Sequence, residues 1–245
     1  MNDVIKLLNA HRSVRAFKKI PVSQATVETI VQCGQAAATS SFIQAYSVIQ
    51  VAQGPKRERL AALANEQTFI NDAPVFLVVC ADMQRHKMAC EKHNVDMLSG
   101  YAEQFMTATI DASLLAQNMA VAAESIGLGI CYIGAVRNEI DAVSELLELP
   151  DLVTPLFGLC IGYPNTKPDL KPRLPVSAVL KQEVYADPDA QQLLDDYDEQ
   201  TSIYYQTRSG GQKVQSWSEQ IAAKLKQESR PHIMNFLKKK GFLLK

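Results

Sequence analysis

The sequence predicts a globular chain of mixed α and β structure built round a buried central sheet, and three observations predict it. Residues 74–81 and 155–161 are short apolar runs without the polar alternation of a sheet that has one wet face, so they read as strands covered on both sides. Residues 101–125, rich in Ala, Leu and Met, are apolar nearly all round, as expected of a long helix lying between other layers. With 245 residues, 47% hydrophobic and 21% charged, the chain can bury one large core or two small ones.

Taken in order, Val4, Ile5, Leu7 and Leu8 recur at helical spacing and stop at Asn9 or Ala10. That leaves residues 11–15 as a loop past a helix C-terminus, where cations suit the helix dipole. Ser23 reads as the N-cap of a second helix that turns Val27, Ile30, Val31, Gly34, Ala37 and Ala38 to one side and ends in the hydroxyl cluster 39–41. Alternation over 47–52 predicts a strand, and Pro55 in a first turn predicts a helix over 55–64. His86, Cys90 and His93 lie in a charge-rich segment read as a solvated loop, since their spacing matches no zinc pattern. Gly127 and Gly129 end the long helix and lead into a strand over 130–133, and a helix over 137–147 stops before Pro150. Beyond Pro164 the prolines of PNTKPDLKPRLP predict an extended path, followed by an acidic helix over 189–207 and a basic one over 217–226. These helices are too polar to hold a core of their own. The chain is therefore expected to be a single domain over 1–245, with 165–245 as a C-terminal extension packing on the core and on a second subunit.

A net charge of -1 and a pI near 6.4 provide no field to draw the chain onto nucleic acid or a membrane, and the run Lys238, Lys239, Lys240 is too local to change that. Five cysteines, odd in number and scattered mostly through apolar runs, read as reduced core residues. No secretory signal is legible, and the longest apolar stretch, 73–81, is about half the ~18 residues of a bilayer-crossing helix, so cytoplasmic residence and a small-molecule partner are expected. Neither a Gly-x-Ser-x-Gly elbow nor a Walker loop is present, and no metal is expected.

Three segments can carry chemistry. His11, Arg12, Ser13 and Arg15 form a dense donor set for a phosphate or planar anion, equally readable as a solvated cap of the first helix. Lys171 and Arg173 sit on a proline-stiffened backbone that suits an anion site or a plain basic linker. The glycines from Gly127 to Gly134 run from helix into strand, the reverse of a Rossmann phosphate loop, so what they offer is a strand end, 132–136, able to lay backbone amides against a flat ligand. Asp195, Asp196, Asp198 and Glu199 read as an acidic helix face.

The segments HRSVRAF, TSSFIQAYSVI, AAESIGLGICYIG, PLFGLCIGYP, DLKPRLP and ESRP, collinear over nearly the whole chain, resemble the NADPH-dependent nitroreductase and flavin reductase family. The resemblance implies an α+β fold with a central, mainly antiparallel sheet flanked by helices, and an intertwined homodimer with one FMN per subunit at each end of the interface. It further implies that His11, Arg12, Ser13 and Arg15 line the FMN site, with Lys171 and Arg173 at the phosphate and Arg15 near the pyrimidine end of the ring. Gln67, Tyr132, Ile133, Gly134 and Ala135 would form the inner wall, Ala135 standing where the family usually has a second glycine. Ser40, Ser41 and Phe42 would reach across the interface to join the cofactor-binding residues. Arg208 and Lys213 resemble the residues that relatives place on the 2′-phosphate of NADPH, with NADH as a possible donor, and Glu103 matches a substrate-pocket position. The implied activity is ping-pong: hydride from NADPH to FMN, then two electrons to nitroaromatics, quinones or free flavin, with no side chain assigned as acid or base. Alternatives are a flavin, chromate or disulfide reductase of the same fold, or a non-catalytic FMN-binding redox sensor.

Overall fold

The computed structural model describes residues 2–208 and 215–245. They fall into two compact units, Met1–Thr166 with Arg230–Lys245, and Lys167–Ser229.

In the first unit, α1 (Asp3–Asn9) is capped by the Asn2 side chain on Ile5 N, and α2 (Gln24–Gln35) by Ser23 on Thr26 N at 3.1 Å. Helix α2 buries Val27, Ile30 and Gly34 and ends at Ala36, so Ala37 and Ala38 lie beyond it. A 3-10 turn (Ser40–Phe42) then leads to β1 (Tyr46–Gln50), α3 (Pro55–Leu63), the short α4 (Phe69–Asp72), β2 (Val75–Asp82), α5 (Gln84–Lys92) and α6 (Ala102–Ser125). After α6 come β3 (Gly129–Ile133), a 3-10 turn (Gly134–Arg137), α7 (Ile140–Leu146) and β4 (Val153–Gly162). The sheet order is β1-β2-β4-β3, antiparallel throughout. Every residue of β2 is buried, as its unbroken apolar run predicts. Each such Val, Leu or Phe side chain stabilises the fold by about 1.5–3 kcal/mol relative to exposure.

Three expectations are corrected here. The segment holding His86 and Cys90 is helical and not a solvated loop, because its polar face is wet while His86 Nε2 turns inward to donate to the Ile43 carbonyl at 2.6 Å. Helix α6 buries one face, through Ala108, Asp111, Ala112, Leu115, Met119 and Ala123, whereas Met106, Ile110 and Leu114 on another remain exposed in the single chain. Cys80, Cys131 and Cys160 are core residues, but Cys33 is exposed and Cys90 half-buried; all five are free thiols.

The second unit holds α8 (Val176–Val179), α9 (Ala190–Thr207) and α10 (Trp217–Leu225). Helix α10 starts with a capping box between Ser216 and Glu219, and Asp198 of α9 accepts from Ser218 N at 2.8 Å and from the Ser218 hydroxyl. Burial, the largest single influence, pushes the Asp198 carboxyl up, but the hydrogen bonds from Ser218, Ser216 and Trp217 together outweigh it and hold the group below its ordinary range. The Tyr197 and Trp217 rings meet edge to face at 5.6 Å. Asp195 and Asp196 accept only from Gln191 and Gln192 one turn back, as befits a wet acidic face. Helix α11 (Ile233–Lys239) returns the chain to the first unit, burying Phe236 and Leu237. No helix among the described residues is long and apolar enough to cross a membrane.

Candidate functional site

The loop after α1 is strapped along the outer edge of β3. Ser13 bridges Ile130 in parallel register, and Val14 N donates to the Ile130 carbonyl at 2.8 Å. The close approach requires Gly129, where a Cβ would stand 2.6 Å from Val14 Cγ2. His11 to Arg15 thus lie beside the strand that ends in Tyr132 and Ile133 and leads into Gly134 and Ala135 of the 3-10 turn.

Side chains at this edge are held from beneath. His11 Nδ1 donates to Glu124 Oε1 at 2.7 Å from the last turn of α6. Arg12 donates from Nη1 to the Ala10 carbonyl at 2.6 Å, while its Nε is buried without a hydrogen-bond partner. Arg15 is exposed and close enough to Cys131 to oppose the upward push that burial gives that thiol. Among the described residues neither Arg12 nor Arg15 forms an ion pair. Tyr132 packs edge to face on Phe157 at 5.3 Å and donates to Gln117 Oε1 at 3.4 Å. Burial first, then Glu124, pushes its phenol up to about 12, so at neutral pH it is a hydrogen-bond donor and not a base. Ile133 is buried, and the space over Gly134 is open, its nearest neighbour to an added Cβ being Arg137 Nη2 at 3.5 Å. Ala135 lies in the 3-10 turn and is absent from the left-handed residues, so alanine meets no backbone conflict there.

Gln67 sits half-buried in the turn between α3 and α4, its carbonyl accepting from Ile70 N at 3.0 Å. The turn leads into α4, whose Phe69 carbonyl meets the Cys160 thiol at 3.8 Å, on the strand residue paired with Cys131.

Ser40, Ser41, Phe42 and Glu103 are not brought to this edge. Ser40 N donates to Asp111, midway along α6, and Glu103 lies in the first turn of that helix. At about 1.5 Å per residue, Asp111 is roughly 20 Å and Glu103 roughly 30 Å from Glu124 along the axis. The predicted residues tied to α6 therefore form two groups, one at its last turn and one along its first half. Two open clefts of this unit, about 540 Å³ beside Arg57 and about 560 Å³ beside Tyr46, contain none of them.

In the second unit, Lys171 Nζ lies 5.4 Å and Arg208 Cζ 5.2 Å from the centre of the Tyr205 ring. Arg173 donates to the Lys171 carbonyl at 2.8 Å, and Tyr197 Oη to the Pro172 carbonyl at 3.1 Å. Lys171, Arg173 and Arg208 are thus gathered on two buried tyrosines. Lys213 lies outside the described residues. Sequence reasoning missed Glu124, Asp111 and Tyr205; the signal for the first two was available, as Asp111 is the one charged residue between Glu103 and Glu124 in an otherwise apolar helix.

The first unit is thus an α+β body with hydrogen-bond donors strung along one sheet edge. Residues 8–163 match the model of the nitroreductase family, and residues 171–245 that of the nitroreductase family C-terminal domain. The chain belongs to the nitroreductase family. It is 42% identical to "FMN reductase (NADPH)" of Bacillus subtilis and 42% identical to "Oxygen-insensitive NADPH nitroreductase" of Salmonella typhimurium, in each case over 99% of both chains. Among solved structures, NADPH:FMN oxidoreductase from Vibrio harveyi complexed with NAD+ superposes with a TM-score of 0.91 at 37% identity over all of both chains. The α+β fold with an antiparallel sheet flanked by helices, expected from the resemblance, is the one observed.

Proposed function

We propose that this chain is an FMN-dependent reductase that takes hydride from NADPH and passes two electrons to nitroaromatics, quinones or free flavin. One observation carries the reading: an un-neutralised Arg12, with its Nε orphaned, lies in the loop strapped against the β3 edge, and the space over Gly134 just past that strand is open. A guanidinium whose Nε is buried without a partner or a neutralising anion is a costly arrangement by itself and a favourable one beside a phosphate. The residues present therefore fit FMN. When bound, the flavin would accept hydride and release electrons in pairs.

In this reading His11, Arg12 and Ser13 hold the phosphate, and Lys171 and Arg173 are proposed as further cations for it. Arg15 favours the anionic end of a reduced ring, since a fixed positive charge there stabilises the negative charge as it develops. Gln67, Tyr132, Ile133, Gly134 and Ala135 form the wall, and Tyr132, protonated at neutral pH, keeps its side chain bonded to Gln117. Arg208 and Lys213 are proposed for the 2′-phosphate of NADPH, Arg208 being steadied by the Tyr205 ring. The chain is proposed to act as a cytoplasmic homodimer, with Ser40, Ser41, Phe42 and Glu103 serving the partner's site. Residues 165–245 are taken as an extension of one domain, which the return of Arg230–Lys245 to the first unit supports.

The test is an anaerobic visible spectrum of the FMN-loaded protein, titrated separately with NADPH and NADH. Loss of the ~450 nm band with NADPH, at a concentration at least tenfold below that needed of NADH, is the expected outcome. Equal bleaching by both donors would remove the role given to Arg208 and Lys213, and a flavin that neither donor bleaches would favour a redox sensor.

A further inference from the structure

Asp111 is fully buried, at 0% exposure, in the middle of the apolar face of α6. A carboxylate there is expensive unless its oxygens are satisfied. Both are, by backbone N–H groups of one loop: Ser40 N donates to Oδ1 at 2.9 Å and Ala45 N to Oδ2 at 3.2 Å. Between those two amides the chain takes an uncommon path, with Ser41, Phe42 and Gln44 at φ of 47°, 60° and 57°. Each left-handed non-glycine residue is strained, and three in four positions persist only if the surroundings impose them. A third tie comes from α5, where His86 Nε2 donates to the Ile43 carbonyl at 2.6 Å. The product of this fastening is a phenyl ring turned outward, Phe42 at 81% exposure.

We propose that Asp111 is a positioning residue: its carboxylate, bridging Ser40 N and Ala45 N, sets the strained loop that presents Phe42 to the oxidant pocket of the partner subunit. The inference rests on the reading that Ser40, Ser41 and Phe42 serve the partner's site. It explains why a charge is kept in a helix face that packing alone would fill with alanine or leucine. An Asn at this position has the same shape but one acceptor oxygen, and it turns an NH2 group against one of the two amides, so the loop loses a tie without a cavity being made. Preorganisation of Phe42 is then lost, which raises the cost of binding the oxidant while leaving the flavin and NADPH contacts as they were.

The test compares Asp111→Asn, Phe42→Ala and the double variant, all FMN-loaded, by steady-state kinetics and by hydrogen exchange of the segment 39–46. Asp111→Asn is expected to speed exchange at Ser40 and Ala45 at least tenfold. It should raise the KM for a nitroaromatic oxidant roughly fivefold and leave the rate of flavin reduction by NADPH within about twofold. Phe42→Ala should raise the same KM, and the double variant should be no worse than the larger single effect, as for two residues acting through one loop. Additive effects, or an unchanged KM in Asp111→Asn while Phe42→Ala raises it, would overturn the inference. An unchanged KM in Phe42→Ala would sink the reading on which it rests, and the inference with it. Should Asp111→Asn not fold, His86→Ala frees the Ile43 carbonyl from outside the core and must raise the KM in the same direction, or the proposal fails.

Discussion

At Gly158 a methyl group would stand 2.5 Å from Cζ and 2.7 Å from Cε2 of Phe76, with Ile133 Cβ at 3.2 Å. Phe76 is wholly buried on β2, so neither ring nor strand has room to withdraw. Gly158→Ala is expected to destabilise the protein by about 1–3 kcal/mol, the usual cost of overpacking. Urea unfolding at neutral pH measures this, and a midpoint equal to wild type would mean that the Phe76 ring slides without cost. The same scale settles a point of sequence. Ala135 stands where the family resemblance implied a glycine, yet its backbone is not left-handed, so it needs none of the freedom glycine supplies.

At the scale of elements, α10 is held to α9 through Asp198. Its carboxyl sits below the ordinary range in the folded protein, so the stability it contributes is present in full above the unfolded value, about 3.9, and is lost as pH falls through the folded value. Trp217, the single tryptophan, lies on Tyr197 beside this cap and reports the loosening. Trp217 emission is expected to change in a transition below about pH 4 in wild type. In Asp198→Asn the change should already be present at neutral pH, with the acid transition weakened; an identical acid transition in the variant would remove Asp198 as its cause. Elements with strong periodicity or clear punctuation were legible in the sequence: Ser23 as a cap, the unbroken run of β2, the glycines after α6. Helices α4, α5, α8 and α11 were not, because they are short or polar and are fixed by tertiary contacts such as His86 on Ile43. The donor cluster at the candidate site was legible as residue types, but its placement beside β3 depends on the Ser13 to Ile130 bridge, which no local pattern encodes.

For the whole molecule the decisive feature is α6. Its last turn carries Glu124 under His11, and its middle and first turns carry Asp111 under Ser40 and Glu103. One chain cannot close a single pocket from groups roughly 20–30 Å apart on a straight helix. Two chains related by a twofold axis perpendicular to α6 can, since such an axis sets the two helices antiparallel and brings the His11 end of one toward the Ser40 side of the other. The stripe Met106, Ile110 and Leu114, spaced by one helical turn each, lies exposed on the same helix among the described residues. Ile110, at 51% exposure, is the middle of the stripe, so a glutamate there places a charge in the contact at little cost to the isolated chain. Ile110→Glu is therefore expected to sediment as a monomer at micromolar concentrations, against the dimer proposed for wild type. Because each site would then lack Phe42 and Glu103 of the other copy, turnover with nitroaromatic should fall at least tenfold even when FMN is supplied in excess. A monomer with full turnover would mean that one chain completes its own site, and a dimer undisturbed by the charge would move the contact away from α6.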